Sequence, residues 1–61
     1  MLDMDGNKIE VGSYVGFKNN IEEYGRVKGF DRGWVVVTVW DDYEGEDVDV
    51  NVDPRRCWKN G

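Results

Sequence analysis

Hydrophobic and polar positions alternate along most of this chain, and they do so with a period of two. Val48, Val50 and Val52 alternate with Asp47, Asp49 and Asn51. That is the pattern of a half-buried strand over 47–52. Trp34 to Trp40 reads Trp-Val-Val-Val-Thr-Val-Trp. A run apolar on both faces predicts the central strand of a sheet. In Tyr14–Lys18, Val15 and Phe17 share one face and Tyr14, Gly16 and Lys18 the other. In Tyr24–Phe30, Gly25, Val27 and Gly29 share a face, against Tyr24, Arg26, Lys28 and Phe30. Two glycines on one face predict either bending or close packing by a neighbour. Ile9 and Val11 continue the alternation upstream.

Turn residues divide these segments. Asp5-Gly6-Asn7 and Gly12-Ser13 are breaks, and Asn19–Glu23 reads as a loop. Asp31-Arg32-Gly33 is a short hairpin connection, with Gly33 suited to a positive φ, and Asp41–Gly45 is a turn. Asp53 and Pro54 are the cap and first residue of a single helical turn before a last short strand, Cys57–Lys59. Helical spacing is missing, alanine does not occur, and leucine occurs once. The expectation is one all-β domain over 9–59, preceded by a turn segment at 1–8.

This order of elements resembles the five-stranded Src-homology-3-like small barrel, the architecture of KOW, Tudor and CAP-Gly modules. Val11-Gly12-Ser13-Tyr14-Val15-Gly16-Phe17, followed by Tyr24-Gly25-Arg26-Val27, is similar to the opening of such barrels. The CAP-Gly signature and the close glycine spacing of a KOW motif are absent. The chain is also similar to small barrels encoded in phage genomes. These resemblances imply a fold and carry no activity with them.

Composition narrows the function. Sixty-one residues allow one domain, and a chain this short buries only roughly 60% of its unfolded surface. Eight aromatic residues compensate, three of them tryptophan. Cys57 is the only cysteine and histidine is absent. An internal disulfide and the usual zinc sites are therefore excluded. A lone thiol fits a reducing cytoplasm. The first five residues show neither a basic segment nor an apolar run, which predicts no signal peptide. No apolar stretch approaches the roughly 20 residues of a membrane helix.

Candidate chemistry is sparse. Asp3-Met4-Asp5-Gly6-Asn7 starts like a calcium loop. The sixth and twelfth positions, however, hold Lys8 and Tyr14 in place of glycine and a bidentate glutamate. Five acids within 41–47 read as a solvated tip that discourages edge aggregation. Neither Cys57 nor Ser13 has a histidine to activate it, so no enzyme is expected. No cofactor or metal is expected either.

The net charge of −5 is concentrated between Asp41 and Asp53, where seven acids face no base. This disfavours general nucleic-acid binding. The leading expectation is a protein-interaction module. Tyr14, Tyr24, Trp40 and Tyr43 would form an aromatic ridge, with Asp42 and Glu44 selecting a basic partner. Proline-rich peptides and basic protein surfaces are candidate ligands. Some of the outward aromatics are expected to form a second apolar layer under Ile9, Val11 and Ile21. Trp58 is expected to close the bottom of the barrel, with Arg55 and Arg56 paired to the acidic strand. Three rival readings stand beside it. Lys18, Arg26, Lys28 and Arg32 would form one side of a nucleic-acid surface. The acidic strand would mimic DNA. Edge strands would pair two copies of the chain.

Overall fold

A computed structural model describes residues 1–60 of the chain. Its strands are β1 (Tyr14–Asn19), β2 (Ile21–Asp31), β3 (Trp34–Asp41), β4 (Glu46–Val52) and β5 (Cys57–Lys59). One 3-10 turn, Pro54–Arg56, precedes β5. All pairings are antiparallel, and the sheet order is β4-β3-β2-β1-β5. Among the described residues no ladder joins β4 to β5, so the sheet is open at that seam. No helix is long and apolar enough to cross a membrane.

Alternation selects the core as the sequence predicts. Val15, Phe17, Val27, Val35, Val37, Val39 and Val52 are buried on one side of the curved sheet, joined by Ile9 and Cys57. Val48 and Val50 pack against this cluster but stay half-buried. The longest apolar strand, β3, lies inside the sheet, although the middle position belongs to β2.

The loop expected at Asn19–Glu23 is strand. Asn20 alone separates the paired Asn19 and Ile21, in the left-handed region at φ 66°. Asparagine tolerates that conformation better than most residues. The ladder therefore runs through a segment whose polar composition reads as a loop. Arg32 and Gly33, both at positive φ, make the two-residue connection from β2 to β3, the geometry that matches strand twist.

The two glycines of β2 divide the two roles expected of them. Gly25 is a close-packing site, because an added Cβ would fall onto the Thr38 carbonyl oxygen. Gly29 lies at a bulge, where the register shifts between Val27 and Gly29. The extra residue reverses the expected faces. Gly29 comes opposite Val36, and Phe30 comes opposite the buried Val35.

The N-terminal segment is tied to the sheet. The Met4 amide donates to the Cys57 carbonyl at 2.9 Å, and the Ile9 amide to the Met1 carbonyl at 2.9 Å. The buried Asp3 carboxylate accepts from the amides of Asp5, Asn7 and Lys59, the last at 2.6 Å. Desolvation pushes this carboxyl up, but the amides of Lys59, Asn7 and Asp5 outweigh it and hold it below the ordinary aspartate value. Asp3 thus works as an anchor between the two ends of the described chain, and its oxygens are engaged with backbone donors.

Candidate functional site

The outer face of the sheet is assembled by register. Tyr14 pairs with Arg26, Arg26 with Thr38, and Thr38 with Asp49, so these four side chains form one row across β1 to β4. The neighbouring row runs from Trp58 over Gly16 to Tyr24. On the same outer face, two residues along β3 from Thr38, Trp40 pairs with Asp47.

Aromatic contacts bind the rows together. The Tyr14 and Tyr24 rings stack at 6.3 Å between centroids with 8° between planes. Trp58 meets Tyr24 edge-on at 6.4 Å, the favoured T-shaped arrangement. Trp58 fits there because Gly16 has no side chain: a Cβ at that position would lie 2.7 Å from the indole ring. The Arg26 guanidinium lies 5.8 Å above the Tyr14 ring, within cation–π range. Tyr14, Tyr24, Thr38, Trp40 and Asp47 line a single shallow groove of ≈ 580 Å³. Trp40 is 60% exposed and Tyr24 40%.

Three of the four ridge residues, Tyr14, Tyr24 and Trp40, are therefore brought together. Tyr43 is not. It stands 95% exposed at the tip of the β3–β4 hairpin and has no aromatic neighbour. Asp42 and Glu44 flank it there, and the tip is organised by Asp41, whose carboxylate accepts from the Tyr43 and Glu44 amides. The acid that reaches the aromatic groove is Asp47.

Trp58 is the residue of the aromatic cluster that sequence reasoning misplaces; it borders Tyr24 without lining the groove itself. It does not close the bottom of a barrel but lies against the outer face, on Gly16. Its position depends on the pairing of β5 with β1, which three residues of sequence do not specify. Of the residues expected to cover a second aromatic layer, Ile9 joins the main core, Ile21 is exposed, and Val11, also exposed, only borders the groove beside Tyr14 and Tyr24. Trp58 and the two tyrosines cover each other instead.

Two of the four bases proposed for nucleic acid, Lys28 and Arg26, are engaged with other groups of the chain. The Lys28 ammonium meets Asp49 at 2.7 Å. Arg26 lies over Tyr14 and donates to the Gly12 carbonyl at 3.3 Å. Lys18 pairs in register with Glu22, and Arg32 sits apart in the β2–β3 connection. Arg55 pairs with its neighbour Asp53 rather than with the acidic strand, at 3.0 Å.

Local charges follow these contacts. The Lys28 bond, then the Thr38 hydroxyl, hold the Asp49 carboxyl below its ordinary value. The Glu22 carboxylate, which accepts from the Tyr24 hydroxyl at 3.0 Å, pushes that phenol up. Burial, then the charges of Asp3 and Asp53, push the Cys57 thiol up. Its sulfur faces the Pro54 carbonyl at 3.5 Å, a packing environment rather than an activating one. Among the described residues no cluster of acids and thiols is arranged to hold a metal ion.

No protein-family model matches this chain, and neither a curated protein nor a solved structure matches it.

Proposed function

We propose that this domain is a non-enzymatic peptide- or protein-binding module that uses the outer aromatic face. The observation that carries this reading is the stacked pair Tyr14 and Tyr24, which shares a groove with the exposed Trp40 and is braced edge-on by Trp58 from outside it. Aromatics held in water against their hydrophobic tendency are the residues that dominate interfaces. Asp47 lines the groove together with Arg26 and Lys28, and it is Asp42 and Glu44 at the nearby tip that add the acidic excess favouring a basic partner and speeding encounter. The order of strands and the single 3-10 turn before β5 support an Src-homology-3-like reading of the fold. In such barrels aromatic grooves take proline-rich segments.

A proline-rich peptide carrying arginine is the direct probe, followed by NMR. The Tyr24 and Trp40 resonances and the Trp58 indole should shift, while the Trp34 indole should not. Trp40→Ala and Tyr24→Ala should each weaken binding by about 2 kcal/mol. Asp42→Asn and Glu44→Gln should alter mainly the association rate. Thermal unfolding of each variant separates lost affinity from lost fold. Normal binding by both aromatic variants, with loss in the carboxylate variants and dissociation at moderate salt, would replace this reading with acidic-surface mimicry of DNA.

A further inference from the structure

The two edges of the sheet differ in what they leave open. The β5 edge is covered, because Met4 occupies the Cys57 carbonyl and Asp3 occupies the Lys59 amide. The β4 edge has β3 on one side and no strand on the other. Along it, Val48 and Val50 face the core side but remain half-buried for want of a neighbour. On the outer side stand Asp47 and Asp49, and Glu46 opens the strand. Where β4 ends, Val50 and Val52 border a cleft of ≈ 410 Å³, lined by Phe17 and Trp34 on its apolar side and by Lys18 and Arg56 on its charged side, so it suits an apolar and not a basic residue.

The geometry points to β4 as a strand-addition site for an extended basic segment of a partner, distinct from the aromatic face. An added strand satisfies the free backbone groups of an edge. Paired residues share a face, so the segment that fits alternates basic and apolar residues. Its basic residues lie beside Asp47 and Asp49. Its apolar residues cover Val48 and Val50, and one near the end of β4 enters the cleft beside Trp34. A second copy of this chain is a poor occupant. Antiparallel pairing of two β4 strands would set acids against acids on molecules of net charge −5. The β5 edge of another copy, which carries the complementary Lys59, is already covered by Asp3 and Met4.

The test uses the full chain with a synthetic peptide alternating lysine and valine over the length of β4. A second peptide of the same sequence carries N-methyl groups on its pairing edge. Amide exchange read by NMR should show new protection at the β4 amides that do not bond to β3. N-methylation should abolish that protection, since it removes backbone donors while keeping charge and hydrophobicity. Asp49→Lys, which changes the β4 acid that does not line the aromatic groove, should weaken the parent peptide by about tenfold, an effect that shrinks with salt. The idea is overturned if the N-methyl peptide binds equally, or if shifts are confined to Tyr14, Tyr24 and Trp58. It is also overturned if the free chain dimerises through β4. A proline-rich ligand has few amides to offer an edge, so failure here leaves the aromatic-face reading untouched, and the reverse holds as well.

Discussion

A methyl group added at Gly25 would fall onto the Thr38 carbonyl oxygen and within 2.7 Å of methyls of both Val37 and Val39. The same group at Gly29 would meet nothing within 4 Å. Neither glycine is at positive φ, so the contrast between them is one of space. Gly25→Ala should lower stability by about 1–3 kcal/mol, because β3 must move away from β2 to admit it. Gly29→Ala should be neutral or stabilise by up to ~1 kcal/mol, through the reduced freedom of the unfolded chain. Denaturant titration of the two variants checks this, and equal losses would contradict the close approach at Gly25. Gly16 belongs with Gly25, except that its neighbour is the Trp58 side chain, which has room to swing outward into solvent.

At the scale of elements, β3 and β4 carry the alternation that organises the sheet. Val37 is fully buried opposite Val27 and Val50. Val37→Asp should unfold the domain, since an unpaired carboxylate there has no partner to offset its desolvation. Asp49 faces water and bonds only Lys28 and Thr38 across the outer face. Asp49→Lys should keep the fold with little change in stability, since exposed ion pairs contribute little. Circular dichroism and thermal unfolding separate the two outcomes. The strands and the core valines were legible in the sequence because period-two patterning is a local property. The face of Phe30 was not, since a bulge is invisible until β2 is laid against β3. Nor was the short turn at Asn20, whose neighbours, the exposed Ile21 apart, are polar because that hairpin end meets solvent. For the candidate site, outward parity found Tyr14, Tyr24 and Trp40. Trp58 and Asp47 needed cross-strand register, which depends on loop lengths and pairing partners. Tyr43 was misjudged for the same reason: proximity in sequence to Trp40 does not carry it off the hairpin tip.

For the whole molecule, the question is how so small a sheet holds its shape when its ladder is open between β4 and β5. Part of the answer is Asp3, which joins the N-terminal segment to the amide of Lys59. The same contact shields one of the two sheet edges. Its two oxygens serve three backbone donors in a buried setting, and hydrogen bonds to a charged group are worth more than neutral ones. The consequence for pH has a definite sign. A carboxyl held below its unfolded value contributes its full stability above the unfolded pKa of about 3.9, and loses it as pH falls through the lower folded value. Asp3→Asn removes a titrating group and replaces one acceptor oxygen with a donor. At neutral pH this variant should be less stable than the wild type by about 1.5–3 kcal/mol. As pH falls below about 4 the unfolded chain's carboxyl protonates first and the folded one only at its lower value, so the difference between the two proteins should narrow across that range. Asp49 and Asp53, also held low by their partners, titrate in both proteins and cancel from the comparison. Melting curves of both proteins across the acid range measure that difference directly. A gap that stays constant with pH would mean that Asp3 acts by shape alone, and that its charge does not bind the N-terminal segment to β5.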